Sequence, residues 1–100
     1  MGGCANLAKE TEEVFREQNR VTSELLLLLD ESPPESPRHG QLSDAEEFIL
    51  QACMPLNQFA IRYRDNLPIG PFKKLRLPKA IKVCRRVTEQ TQALLNDLEP

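Results

Sequence analysis

Apolar residues return alternately every four and every three positions in three separate stretches, and this spacing constrains the fold more than any other feature of the chain. The first ladder runs Leu7, Thr11, Val14, Gln18, Val21, Leu25, Leu28. The second runs Ala45, Ile49, Ala52, Leu56, Phe59, Tyr63, and the third Ala80, Cys84, Val87, Thr91, Leu94, Leu98. Such spacing gathers each set onto one stripe of a helix, because a residue and those three or four places away share a face. A helix with one apolar stripe must bury it against a neighbour. Three such helices close most simply as a small antiparallel bundle, so the expected fold is all-α, with the second helix kinked or broken at Pro55.

The elements follow from the punctuation between the ladders. Helix 1 is expected from about Asn6 to Asp30, with good helix formers throughout and Glu10, Glu12 and Glu13 near its positive end. Residues 1–5 read as a flexible N-terminus and residues 6–100 as one helical-bundle domain. The run ESPPESPRHG from Glu31 to Gly40 reads as part of an exposed Pro-rich linker over 31–42. Helix 2 is expected to open at Ser43, where Ser43 and Glu46 stand at capping-box spacing. From Asn66 to Leu77, Pro68, Gly70 and Pro71 argue against regular helix, and Pro78 suits the first turn of helix 3, which would end near Leu98. Leu67, Ile69, Phe72, Leu75 and Leu77 make that irregular segment unusually apolar for a loop. It either folds back over one end of the bundle or meets a partner.

Charge is distributed unevenly. Residues 1–50 hold four basic groups against eleven acidic ones, whereas residues 51–100 hold nine against four. All nine lie between Arg62 and Arg86, with Asp65 as the one acid among them. Such a block attracts an acidic partner, a phosphate backbone or an anionic membrane. It can equally face the acidic first helix inside the same bundle. Nucleic acid is the weakest of these uses, because the chain is acidic overall and carries no nucleic-acid-binding motif.

Three cysteines at wide spacing, Cys4, Cys53 and Cys84, suggest neither a disulfide framework nor a zinc site. Cys53 and Cys84 are expected to act as small core hydrophobes, and a cytoplasmic, reducing compartment fits that reading. The longest apolar run, Leu25–Leu29, is far too short to span a membrane.

Chemistry is poorly provided for. The single histidine, His39, falls in the Pro-rich stretch with no cysteine or carboxylate cluster beside it. No phosphate-binding glycine loop, nucleophile elbow or metalloprotease helix is present, and no cofactor is implied. The expectation is a protein that is not an enzyme.

Binding features are clearer. In Met1-Gly2-Gly3-Cys4, Gly2 is placed for myristoylation and Cys4 for a second acyl chain, although Asn6 stands where Ser or Thr is preferred. Gly-Gly-Cys followed by Ala-Asn also matches the cleavage end of a bacterial lipoprotein leader, which would need an apolar segment upstream. An ordinary start with small residues is the plain alternative. Lys73, Lys74, Arg76, Lys79, Lys82, Arg85 and Arg86, interleaved with Phe72, Leu75 and Leu77, form a candidate basic surface for an anionic membrane. Ser32 and Ser36, each before a proline, are candidate phosphorylation sites in the linker, though Ser-Pro also simply makes turns. Leu26 and Leu27 point away from the first ladder. They are covered either by the Leu67–Leu77 segment or by another molecule.

The leading expectation is a non-enzymatic helical interaction protein. It would bind a protein partner or self-associate through Leu26, Leu27, Phe72, Leu75 and Leu77. The alternative is a lipid-anchored peripheral membrane protein, held by Gly2 or Cys4 and supported by the basic segment.

Overall fold

The computed structural model describes residues 3–98, with side chains from Asn6 to Leu98. Three helices form: α1 (Gly3–Glu31), α2 (Pro37–Arg64) and α3 (Pro71–Leu98). Every pair of helices is in contact, and the described residues contain no strand. The all-α three-helix bundle is therefore what the ladders form.

Both connections are shorter than expected. The linker over 31–42 shrinks to a turn of Ser32–Ser36, and Leu42 is a fully buried core residue of α2. The reason is capping. Ser36 is extended (φ −79°, ψ 150°) and its Oγ accepts the His39 backbone N–H at 3.1 Å. Pro37 takes the first helical position, where a missing N–H costs nothing and the fixed φ is already helical. The helix start thus lies two turns before the Ser43–Glu46 pair, which is mid-helix. Likewise α3 starts at Pro71, not Pro78: the Lys74 N–H bonds the Gly70 carbonyl at 3.0 Å. At the end of α2, the Asp65 N–H bonds the Ile61 carbonyl at 2.9 Å and Asn66 takes φ 55°. Asn tolerates this left-handed position better than most residues.

Two prolines sit inside helices that continue through them: Pro55 in α2 and Pro78 in α3. Each deprives one carbonyl four residues earlier, at Gln51 and Lys74, of its helical donor. Both prolines and both of those residues are exposed, so water can satisfy the freed oxygens.

The core takes Val14, Val21 and Leu25 from α1 and Leu42, Ile49, Cys53, Leu56 and Phe59 from α2. Leu77, Ala80, Ile81, Cys84, Val87 and Leu95 come from α3. Leu77 is fully buried, so it is not available as a partner contact. It lies one turn before Ala80 and Ile81 and seven residues before Cys84, which makes it the first rung of the third ladder. The polar rungs are accommodated locally. Thr11 and Thr91 donate their hydroxyls to the Leu7 and Val87 carbonyls, at 2.7 and 2.8 Å. Gln18, 3% exposed, exchanges two hydrogen bonds with Asn57 across the α1–α2 interface, at 2.8 and 3.1 Å.

Cys53 and Cys84 are not free core thiols but a disulfide joining α2 to α3, with Cα atoms 4.6 Å apart. Thirty-one residues separate them in sequence, and only the antiparallel pairing of α2 and α3 brings them opposite one another. The bond removes the ground for preferring a reducing compartment.

Candidate interaction surfaces

Chain direction decides which features meet. α1 and α3 run one way and α2 the other, so the first turn of α1 shares an end with the α2–α3 turn. The α1–α2 turn lies at the opposite end, with the last turn of α3. Leu25–Leu29 therefore lies far from Leu67–Leu77, and that segment does not cover it. Within the run, Leu25 is buried and Leu28 and Leu29 pack on the core, while Leu26 is 44% and Leu27 66% exposed.

The same topology separates charge along a molecule whose Cα extents are 47 × 21 × 19 Å. The α2–α3 end carries the cations between Arg62 and Arg86. The α1–α2 end carries Asp30, Glu31, Glu35, Asp44, Glu46 and Glu47, with Arg38 as the one cation over that stretch. The basic block does not face α1 as a whole. Arg85 alone reaches it, 3.7 Å from Glu10, and Arg64 pairs with its neighbour Asp65. Lys73, Lys74, Arg76, Lys79, Lys82 and Arg86 make no ion pair among the described residues. Three acids of α1 are engaged on their own helix. Arg16 pairs with Glu12, and Arg20 pairs with Glu17 and Glu24. The hydrogen bond from Arg20 holds the Glu17 carboxyl below the usual glutamate range.

Two apolar surfaces remain open. One is the first turn and a half of α3. Every residue from Pro71 to Arg76 is exposed. At 100° per residue, six successive positions sample all sides of a helix, so no face of this stretch is buried. Phe72 at 81% and Leu75 at 77% are the most exposed large hydrophobics among the described residues, and Leu67 stands in the adjoining turn.

The second surface is the outer seam between α1 and α2. A groove of about 670 Å³ opens there, lined by Ala8, Phe15 and Asn19 of α1 and Ala60, Ile61 and Tyr63 of α2, among others. Helical spacing carries the seam onward. Leu26 is seven residues after Asn19, while Met54 and Leu50 are seven and eleven before Ile61, so each stays on the same flank of its helix. Leu26, Leu50, Met54 and Ile61 are all exposed. Sequence reasoning singled out Leu26 but passed over the other three. Their signal was a second stripe on α2, at spacings of four and seven, opposite to the core ladder. Leu27 stands apart on the outer side of α1.

The remaining candidates are placed as follows. Ser32 is not in an exposed linker. It is 7% exposed and its Oγ donates to the Leu28 carbonyl at 2.7 Å, which closes the last turn of α1 and hides the hydroxyl from a kinase. Ser36 is half-buried, its hydroxyl donating to the Pro33 carbonyl at 2.7 Å while capping α2. His39 lies in the first turn of α2 rather than in a linker. Gly2 and the side chain of Cys4 lie outside the described residues, although the backbone of Cys4 belongs to the first turn of α1. Among the described residues, no group of three or more His, Cys, Asp or Glu is arranged to hold a metal ion. No helix is long and apolar enough to cross a membrane.

Comparison with protein-family models, with characterised proteins and with solved structures finds no match to this chain.

Proposed function

We propose that this protein is a non-enzymatic interaction module that seats a helix of a partner protein in the outer groove between α1 and α2. One observation carries the reading: Phe15 and Ile61 line an open groove between α1 and α2, and helical spacing places the exposed Leu26, Leu50 and Met54 further along the same flanks. The α1–α2 pair already seats α3 on its other side by the same means, apolar rows from two helices meeting a third. A second amphipathic helix fits the outer side by the helix-in-groove mode. Burying one such side chain fully contributes roughly 1.5–3 kcal/mol, so four together make a useful anchor.

The test uses Met54→Asp combined with Ile61→Asp. Both residues are exposed, so the variant is expected to fold, with unchanged helicity. Sedimentation velocity of the purified chain and stoichiometric co-purification from the native host are then compared with wild type. The expected result is a defined complex, with a partner or a second copy, that the double variant loses. Hydrogen-exchange protection in that complex should map to Phe15–Leu26 and Leu50–Ile61. A strictly monomeric chain without a partner, or a complex indifferent to both substitutions, refutes the reading.

The disulfide favours a second reading, attachment to a membrane in an oxidising compartment. Such compartments preserve a bond like Cys53–Cys84, and pairing those two leaves Cys4 as the remaining cysteine for a lipid. Of the two lipidation routes, this supports the lipoprotein type over a cytosolic myristoylated adaptor. Intact-mass measurement of natively expressed protein tests it: an acyl mass on Cys4 is expected, and an unmodified Cys4 excludes the anchor.

A further inference from the structure

We infer that the α2–α3 end of the bundle docks on anionic phospholipid bilayers. Phe72 and Leu75 would enter the headgroup–acyl boundary while Lys73, Lys74, Arg76 and Lys79 meet lipid phosphates. This deepens the membrane reading but rests on the surface alone, with or without a lipid on Cys4.

Three observations converge. The first is the shape of the end. From Pro71 to Arg76 no face of α3 is buried, so Phe72 and Leu75 project from a convex tip rather than line a groove. A projecting Phe and Leu among cations is the composition of an interfacial amphipathic helix, whose apolar face sinks only to the acyl boundary. The second is the kind of cation. From Pro71 to Lys82 the cations are Lys73, Lys74, Lys79 and Lys82 against Arg76 alone, and lysine is depleted in protein–protein interfaces, where arginine is enriched. Lysine's flexible stem instead lies along apolar surface while its ammonium stays at the headgroup level. None of these lysines is engaged in an ion pair among the described residues. The third is the rest of the charge. An anionic surface repels the α1–α2 end, with Asp30, Glu31, Glu35, Asp44, Glu46 and Glu47. The molecule then stands end-on, its 47 Å axis away from the bilayer. The first turn of α1, which contains Cys4, faces the same bilayer.

The experiment uses the full chain carrying Cys4→Ser, so that no lipid contributes. Vesicles of phosphatidylcholine alone, and of phosphatidylcholine with phosphatidylglycerol, are compared by co-sedimentation. Binding is expected only with phosphatidylglycerol and should fall as salt is raised. Lys74→Gln with Arg76→Gln should weaken it about 25-fold, roughly fivefold for each cation removed. Because the chain has no tryptophan, Phe72→Trp installs a single reporter. Its emission should shift to the blue with anionic vesicles, whereas Leu27→Trp at the far end should not move. Both sites are exposed, and retained helicity with an unchanged melting temperature shows that the variants fold. Equal binding to both vesicle types, no binding to either, or a blue shift at position 27 matching that at 72 overturns the inference. So does tight binding of this end to an acidic protein or an oligonucleotide in the absence of vesicle binding. The outcome is independent of the intact-mass result for Cys4 and of the Met54/Ile61 test of the groove.

Discussion

Reducing the Cys53–Cys84 bond should cost a large fraction of the stability of this fold. The crosslink closes a loop of 31 residues. In the chain-entropy treatment, a loop of that length removes about 12 cal/mol/K from the unfolded ensemble, or about 3.7 kcal/mol at 25 °C. A domain of this size is held by only about 5–15 kcal/mol in total. At roughly 4–8 °C per kcal/mol, the midpoint of thermal unfolding should fall by about 15–30 °C. Reduction is the cleaner perturbation than Cys→Ala, because it keeps the sulfur atoms and opens no cavity in the core. The assay is urea unfolding of the wild-type chain with and without a phosphine reductant, the thiol count being verified by alkylation and mass measurement. The reduced chain should also show a steeper denaturant dependence, since its unfolded state is less compact. A loss under about 1 kcal/mol would refute the entropic reasoning. Free thiols at both positions in the untreated protein would remove the bond itself.

Three further outcomes follow from the packing. Gln18→Ala should cost about 1–3 kcal/mol, because it strands the Asn57 amide at the α1–α2 interface; Gln18→Leu with Asn57→Leu should recover most of that, and a double-mutant cycle in urea measures the difference. Ser36→Ala removes the α2 cap and should cost about 1 kcal/mol, read by the same unfolding experiment, with hydrogen exchange speeding at His39. Glu17 should titrate below the ordinary glutamate value of 4.5 in a carboxyl-detected NMR series and return toward it in Arg20→Gln. Its folded pKa is depressed, so whatever small stabilisation it adds is present above pH 4.5 and lost as the pH falls through the lower value.

The ladders made the helices and their number legible, because the 3.6-residue period is a property of sequence alone. The ends of the helices were harder to read, and the errors share one cause. Proline was taken as a breaker at Pro37 and Pro71, where it opens α2 and α3, and as a helix start at Pro78, which sits inside α3 on its outer side. Whether proline starts, kinks or ends a helix depends on which carbonyl it deprives and whether water reaches that carbonyl. That is a tertiary fact. The disulfide was hidden for a similar reason: Cys84 is an ordinary rung of the third ladder and Cys53 only stands beside the rung at Ala52, until two antiparallel helices bring them level. The candidate surfaces were half legible. Phe72, Leu75 and the lysines were visible as an apolar segment with too much charge, and the structure shows that these groups remain uncovered. Leu77 could not be told from them without knowing where the core stripe of α3 begins. The Leu50–Met54–Ile61 stripe was overlooked because attention to one face of α2 conceals the other.

The placement of the crosslink has a consequence for how the molecule can come apart. It closes α2 and α3 into a covalent hairpin and leaves α1 attached only through Ser32–Ser36. Under partial denaturation α1 is therefore the element that detaches, as one cooperative unit, while the hairpin persists. The tether is short and contains Pro33 and Pro34. Short, stiff hinges favour exchange of an element between two chains over its return to its own. Two copies trading their first helices would rebuild every native contact, the Gln18–Asn57 pair included, in a domain-swapped dimer. Circular dichroism would not distinguish that dimer from the monomer, and it would persist on dilution until α1 again lets go.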